Sequence, residues 1–263
     1  MSENERLVAG VGLWSGVLLM TERRMALGYR APGGEIRSLL RPLPGFLRLL
    51  GPWVGLLAPL LAFWALWLAG WDRRASQDER REMQSVRWGF AAGFIPSLFL
   101  IQHAPSWLVP SLLLLLGGSV LLHPQLRREA WRGIQEWRRY HGAEHQVVHA
   151  VLREEEVSEA SVERQAVLSP YCGTNLFVWV LPLIAVSSWL TIPALLPAVF
   201  LMEWAAKRQE TSRLARALLA VGALGQRLTV APSEPHHRAA AIAAWEALGL
   251  EQPGGGAAVP TRP

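Results

Sequence analysis

An all-α integral membrane protein is the fold class this sequence predicts, on three observations. Apolar residues fill 51% of the 263 positions, with 13 tryptophans and only 18% charged residues, and the mean hydropathy is +0.19. They are gathered into blocks near the roughly 17–25 residues that a helix needs to cross a bilayer. Arginines cluster at the ends of these blocks, where basic charge sets the orientation of a membrane segment. The expected architecture has about four transmembrane helices, one re-entrant or interfacial helix, a small N-terminal hairpin and a cytoplasmic helix bearing the chemistry. In domains, 1–42 is the hairpin element, 43–206 a membrane domain with a cytoplasmic insertion at 124–170, 207–251 a C-terminal helical region and 252–263 a disordered tail.

Taken in order, Leu7 to Met20 is a short apolar run whose glycines (Gly10, Gly12, Gly16) suggest packed, irregular backbone. It is preceded by Glu3 and Glu5 and followed by no small-residue cleavage site, so it does not read as a signal peptide. Met25 to Arg30, Ala-Pro-Gly-Gly and Glu35 to Leu39 read as a hairpin over a Pro-Gly turn, with weak alternation. Apolar blocks follow at Pro52 to Trp71, Trp88 to Ile101 and Trp107 to Leu122, and a fourth stretch, Leu176 to Met202, is interrupted by Pro182, Pro193 and Pro197. Proline removes a backbone donor, so that stretch reads as two short membrane helices broken near Thr191 to Pro193. Arginines flank the first block on both sides (Arg41, Arg48; Arg73, Arg74), which a re-entrant hairpin broken at Pro59 or an interfacial helix satisfies.

The arginine-rich connections, 73–87 and 127–139, place the chain in the cell membrane as a multi-pass protein with its central stretch on the cytoplasmic side. The net charge of +5 belongs to arginines beside apolar blocks, which makes membrane lipid the expected partner and not nucleic acid. A homo-oligomer assembled through tryptophan-rich faces is a further expectation. The single cysteine, Cys172, excludes an internal disulfide framework. Residues 127–139 read as a basic amphipathic helix on the headgroups or as a cytoplasmic extension of the preceding helix, and 153–164 as a charged, solvated connection.

The chemistry is concentrated in YHGAEHQVVHAV, Tyr140 to Val151. On a helix, His141, His145 and His149, at i, i+4 and i+8, share one stripe with Glu144. Two imidazoles one turn apart hold a divalent ion, and a carboxylate beside the second can orient or deprotonate a water. His141-Gly-Ala-Glu144-His145 is the H-x-x-E-H arrangement, listed among metallopeptidase signatures. The expected metal residues are His141, His145, His149 and Glu203, the last an ionisable group closing the final apolar run. The expected catalytic residues are Glu144 and Cys172, although Cys172, in SPYCGTN, also suits a soft metal ligand. The expected cofactor is a divalent metal, zinc by its ligand chemistry. His103, His123, His236 and His237 carry no expectation of a role.

YHGAEHQVVHA followed by LSPYCGTNLF resembles the YqhQ-like family, bacterial membrane proteins of unknown function described as predicted metal-dependent enzymes. The resemblance extends to the C-terminal third and to the N-terminal hairpin. It implies a metal and a membrane, and it supports His141, Glu144, His145, His149, Cys172, Glu203 and Gln226. The chain departs from the family where Ser15 stands at an acidic position of a glycine-rich run, Gln146 at a lysine and Tyr171 at an arginine. The function expected is therefore a membrane-embedded metal-dependent hydrolase acting on a lipid headgroup or membrane-proximal substrate. The alternative is a non-catalytic membrane scaffold with a structural metal or a hydrogen-bonded histidine cluster.

Overall fold

The computed structural model describes residues 5–31, 33–49, 122–175 and 188–250, together with 51, 61 and 118. Its centre is a four-stranded antiparallel meander in the order β1 (Leu7–Gly12), β2 (Gly16–Thr21), β3 (Arg24–Arg30) and β4 (Ile36–Pro42). Among the described residues six helices accompany it: α1 (Gly45–Arg48), α2 (Pro124–Leu152), α3 (Glu159–Glu163), α4 (Ser188–Arg208), α5 (Arg213–Thr229) and α6 (Pro235–Leu248).

The fold is thus mixed α and β, which corrects the all-α membrane expectation. Among the described residues no helix is long and apolar enough to cross a membrane. In α4, Glu203, Lys207 and Arg208 occupy the end. The expected spans at 52–71, 88–101 and 107–122, the start of the one at 176–202, and the tail at 252–263 lie outside the described residues, apart from isolated positions.

The expected hairpin is only the second half of the sheet; the apolar run before it supplies β1 and β2. The physical reason is burial on both faces. Leu18, Met20, Met25, Leu27 and Tyr29 pack on one side with Leu13, Leu43 and Leu47. Val17, Leu19 and Ala26 face the other way, against Tyr140, Ala143, Val147 and Ala150 of α2 and Ala240, Ala244 and Trp245 of α6. A strand covered on both sides has no polar face, so its sequence reads as an unbroken apolar run. The β3–β4 turn needs Gly34, whose φ of 86° lies in the left-handed region. The turn between β2 and β3 is fixed by Thr21 Oγ1, which accepts the Arg24 N–H at 2.9 Å.

Helix α2 starts at Pro124, where a missing N–H costs nothing, and its 29 residues extend about 44 Å. Its first half is largely exposed, including Leu126 and Trp131, and its second half is buried from Tyr140 on. The arginine-rich stretch 127–139 therefore belongs to the less buried half of the motif helix itself. The acidic stretch after α2 is more than a solvated connection. Ser158 caps α3 in a capping box with Ser161, and Glu159 and Glu163 hold the buried Arg238 of α6 at 2.7 and 3.2 Å. That clamp fixes the loop 165–169, which matters for the site.

Candidate metal centre

The strand beside the motif helix is built for close approach. A Cβ on Gly10 would lie 2.3 Å from Glu144 Oε1, and one on Gly12 2.3 Å from His141 Cα. Both glycines pair with residues on the helix-facing side of β2, Leu19 and Val17. The glycine-rich run therefore lets β1 lie directly on His141 and Glu144, a role that sequence reasoning left as irregular packing. Ser15 lies in the β1–β2 turn, where its carbonyl accepts the Arg30 N–H at 3.0 Å.

Each histidine of the stripe is held by a main-chain carbonyl. His141 Nδ1 bonds Thr229 O at 3.1 Å, His145 Nδ1 bonds Val167 O, and His149 Nδ1 bonds Ala166 O at 2.9 Å. A carbonyl can only accept, so each Nδ1 carries the proton and donates, and each Nε2 keeps its lone pair. This is the outer-shell arrangement that orients metal-ligating histidines. The carbonyls are supplied by the loop after α3 and by the end of α5. Gln146 secures the first of these by donating to Glu163 O and Gln165 O, each at 3.3 Å.

Cys172 arrives from the next turn of the chain. Gln226 of α5 accepts from Ser169 N at 2.9 Å and donates to Ser169 O at 2.6 Å and to Asn175 Oδ1, while Asn175 Nδ2 donates to Ser169 O and Pro170 O. The loop so fixed sets Cys172 Sγ 3.4 Å from His141 Nε2. Among the described residues, His141, His145 and Cys172 form a group that could hold a metal ion, their ligand atoms all within 4.8 Å of one another. Bonds of about 2.0 Å to nitrogen and 2.3 Å to sulfur in a tetrahedron require ligand atoms roughly 3.3–3.7 Å apart, and the His141–Cys172 edge already has that length. The donor set, two imidazoles and a thiol, suits zinc.

Glu144 lies beside this group, its Oε2 3.6 Å from His145 Nε2 and 3.9 Å from His141 Nε2. His149 is one turn further on, outside the group, with its ring centroid 6.4 Å from that of His145. Glu203 stands on α4, half exposed and ion-paired to Lys207 at 2.8 Å, and the group does not include it.

Burial sets the protonation states. Desolvation raises the Glu144 carboxyl to about 8 and the Cys172 thiol to about 11. It lowers His145 to about 3, with the neighbouring His141 adding to the fall and the Val167 bond opposing it. His141 and His149 are also lowered by burial, against their carbonyl bonds. Without an ion, every group is therefore neutral at pH 7. An ion held beside the Cys172 thiol would favour its deprotonated form. A stability prediction follows for the chelator-treated protein. Glu144 has a folded-state pKa above its unfolded value, so its contribution is full below about 4.5 and is lost as pH rises toward 8. The buried histidines, His145 above all, act in the opposite direction up to their unfolded value near 6.5, so the thermal midpoint of the metal-free chain should fall from about pH 6.5 to 8, and Glu144→Gln should remove that fall; an unchanged slope in the variant would contradict it.

A second cluster, Glu136, His236 and His237, also brings ligand atoms together, and sequence reasoning left these histidines without a role. Its hydrogen bonds point to a different use. His237 Nδ1 accepts the Glu234 N–H at 3.2 Å, so its proton is on Nε2, which donates to Glu136 Oε2 at 3.1 Å. Both ring nitrogens are thereby engaged, and the residue caps α6 against α2. The direction of the Nδ1 bond separates the two clusters. The missed signal was local: Glu234-Pro-His-His237 is a helix start.

Comparison with known proteins adds a family without an activity. Residues 129–250 match the model of a family described as a protein of unknown function, DUF1385. The matched span contains His141, Glu144, His145, His149, Cys172, Glu203 and Gln226, and the β-meander precedes it. No curated protein and no solved structure matches the chain.

Proposed function

We propose that this protein is a metal-dependent hydrolase centred on His141, His145 and Cys172, with Glu144 as its general acid and base. One observation carries the reading: carbonyls fix the Nδ1–H form of His141 and His145, which leaves two Nε2 lone pairs beside a thiol and a buried carboxyl. A divalent cation bound there would supply Lewis acidity. His141, His145 and Cys172 would hold it, and Gln226, Gln146 and the carbonyls of 167 and 229 keep those three in place.

Glu144 moves the proton. A cation beside it would hold it as the carboxylate, whose Oε2 then takes a proton from the attacking water and returns it to the leaving group. Gly10, lacking a side chain, leaves the space that the carboxyl occupies against β1. A purely structural centre would fill four positions with protein ligands; among the described residues the group has three, with a carboxyl beside it and a cavity along the same helix. The test is hydrolysis of a panel of peptide, ester and phosphoester substrates by metal-loaded protein. Activity should disappear with a chelator and with Glu144→Gln. Activity that survives either treatment would refute the assignment.

A further inference from the structure

A cavity of about 300 Å3 opens at the end of α2, lined from one helical turn beyond His145. His149, Leu152 and Arg153 line it from α2 and its cap, Leu168 and Tyr171 from the loop before Cys172, and Gln209 from the end of α4. Two of these residues tie it to the centre: His149 follows His145 by one helical turn, and Tyr171 is the neighbour of Cys172. Its volume is at the lower end of the range for small-molecule sites.

The wall chemistry is uneven. Leu152 and Leu168 offer apolar surface, and Tyr171 and Gln209 bring a hydroxyl and an amide. Arg153 is the cation of the cavity and, among the described residues, its guanidinium engages no acid, although Glu154, Glu155 and Glu156 follow it directly. Glu155 instead accepts from Gln165 and faces Arg164. Glu154 turns the chain, at a φ of 57°. An unpaired guanidinium at the mouth of a partly apolar cavity is a site for a planar or tetrahedral oxyanion, which it can bind through two N–H groups at once.

We propose that this cavity binds the anionic end of a small amphiphilic substrate, a carboxylate or phosphate attached to an apolar body, and so presents that molecule to the metal group. The inference deepens the hydrolase reading and rests on it for the purpose of the binding, although the binding itself does not require the ion. Arg153 is a positioning residue here, because it fixes the substrate and does not touch the reacting atoms.

The test is calorimetric titration of the full chain with N-acetyl-leucine and with hexyl phosphate, each beside its neutral counterpart, N-acetyl-leucinamide and hexanol. At least one anion should bind roughly 10-fold or more tightly than its counterpart, as a lost charge-assisted pair implies. Preference for one anion assigns the headgroup. Arg153→Gln should abolish the discrimination while leaving metal content unchanged, and Ala166→Phe, at the exposed rim, should weaken both anions by obstruction. Equal binding of anion and neutral counterpart would overturn the proposal, as would discrimination that persists in Arg153→Gln. Metal content of the same samples separates the two readings: charge-selective binding by a chain that takes up no metal refutes the hydrolase and leaves this site standing.

Discussion

Gly12→Val is expected to cost the fold roughly 3 kcal/mol or more and to abolish metal uptake, because the new side chain must occupy space already taken by backbone. A Cβ at Gly12 would meet His141 Cα at 2.3 Å and His141 N at 2.5 Å. Backbone in the middle of a buried helix has little freedom to move, so strand and helix must separate, carrying the first ligand away from the others. Overpacking of ordinary cores costs about 1–3 kcal/mol, and a clash with main chain lies at or beyond that range; a domain has only about 5–15 kcal/mol in total. Gly10→Ala provides the contrast, since its Cβ would meet the carboxyl end of Glu144, which can swing aside. Urea denaturation of both variants checks the pair: a large loss for Gly12→Val with a small one for Gly10→Ala. Equal stability of Gly12→Val and wild type would show that β1 does not lie on the motif helix as described.

Glu144→Gln is expected to lower turnover by about 10²–10⁴ while leaving metal content intact, the usual contribution of a positioned general acid or base. Glutamine matches the carboxyl in shape and removes its ability to take up a proton at neutral pH. Because Glu144 stands beside the metal group and outside it, the ligands remain in place. Loss of activity together with metal would make Glu144 a ligand and exclude it as the acid and base. Single-turnover rates beside elemental analysis of the same preparation decide between the two.

The histidine stripe was legible because helical spacing is a local property: residues four apart on α2 face one way whatever surrounds them. The acceptors that hold the stripe in its tautomer were not legible. Thr229, Ala166 and Val167 act through their carbonyls, and main-chain atoms leave no mark on side-chain identity. Cys172 was singled out by residue type and by resemblance, but its approach to His141 depends on Gln226 and Asn175, which meet only in the folded chain. The sheet was half seen. Met25 to Leu39 has a turn signal and exposed positions on β4, whereas β2 is buried on both faces and loses the alternation that identifies a strand. The membrane expectation rested on the later apolar blocks at 52–71, 88–101, 107–122 and 176–202, most of which lie outside the described residues.

Metal content is the most direct measure of the central claim that His141, His145 and Cys172 share one divalent ion. Wild-type protein prepared with zinc and freed of loosely bound metal should retain close to one ion per chain, with His145→Ala and Cys172→Ser each retaining a small fraction of it and circular dichroism confirming that both are folded. A folded wild type without stoichiometric metal, or folded variants that keep it, would contradict the account.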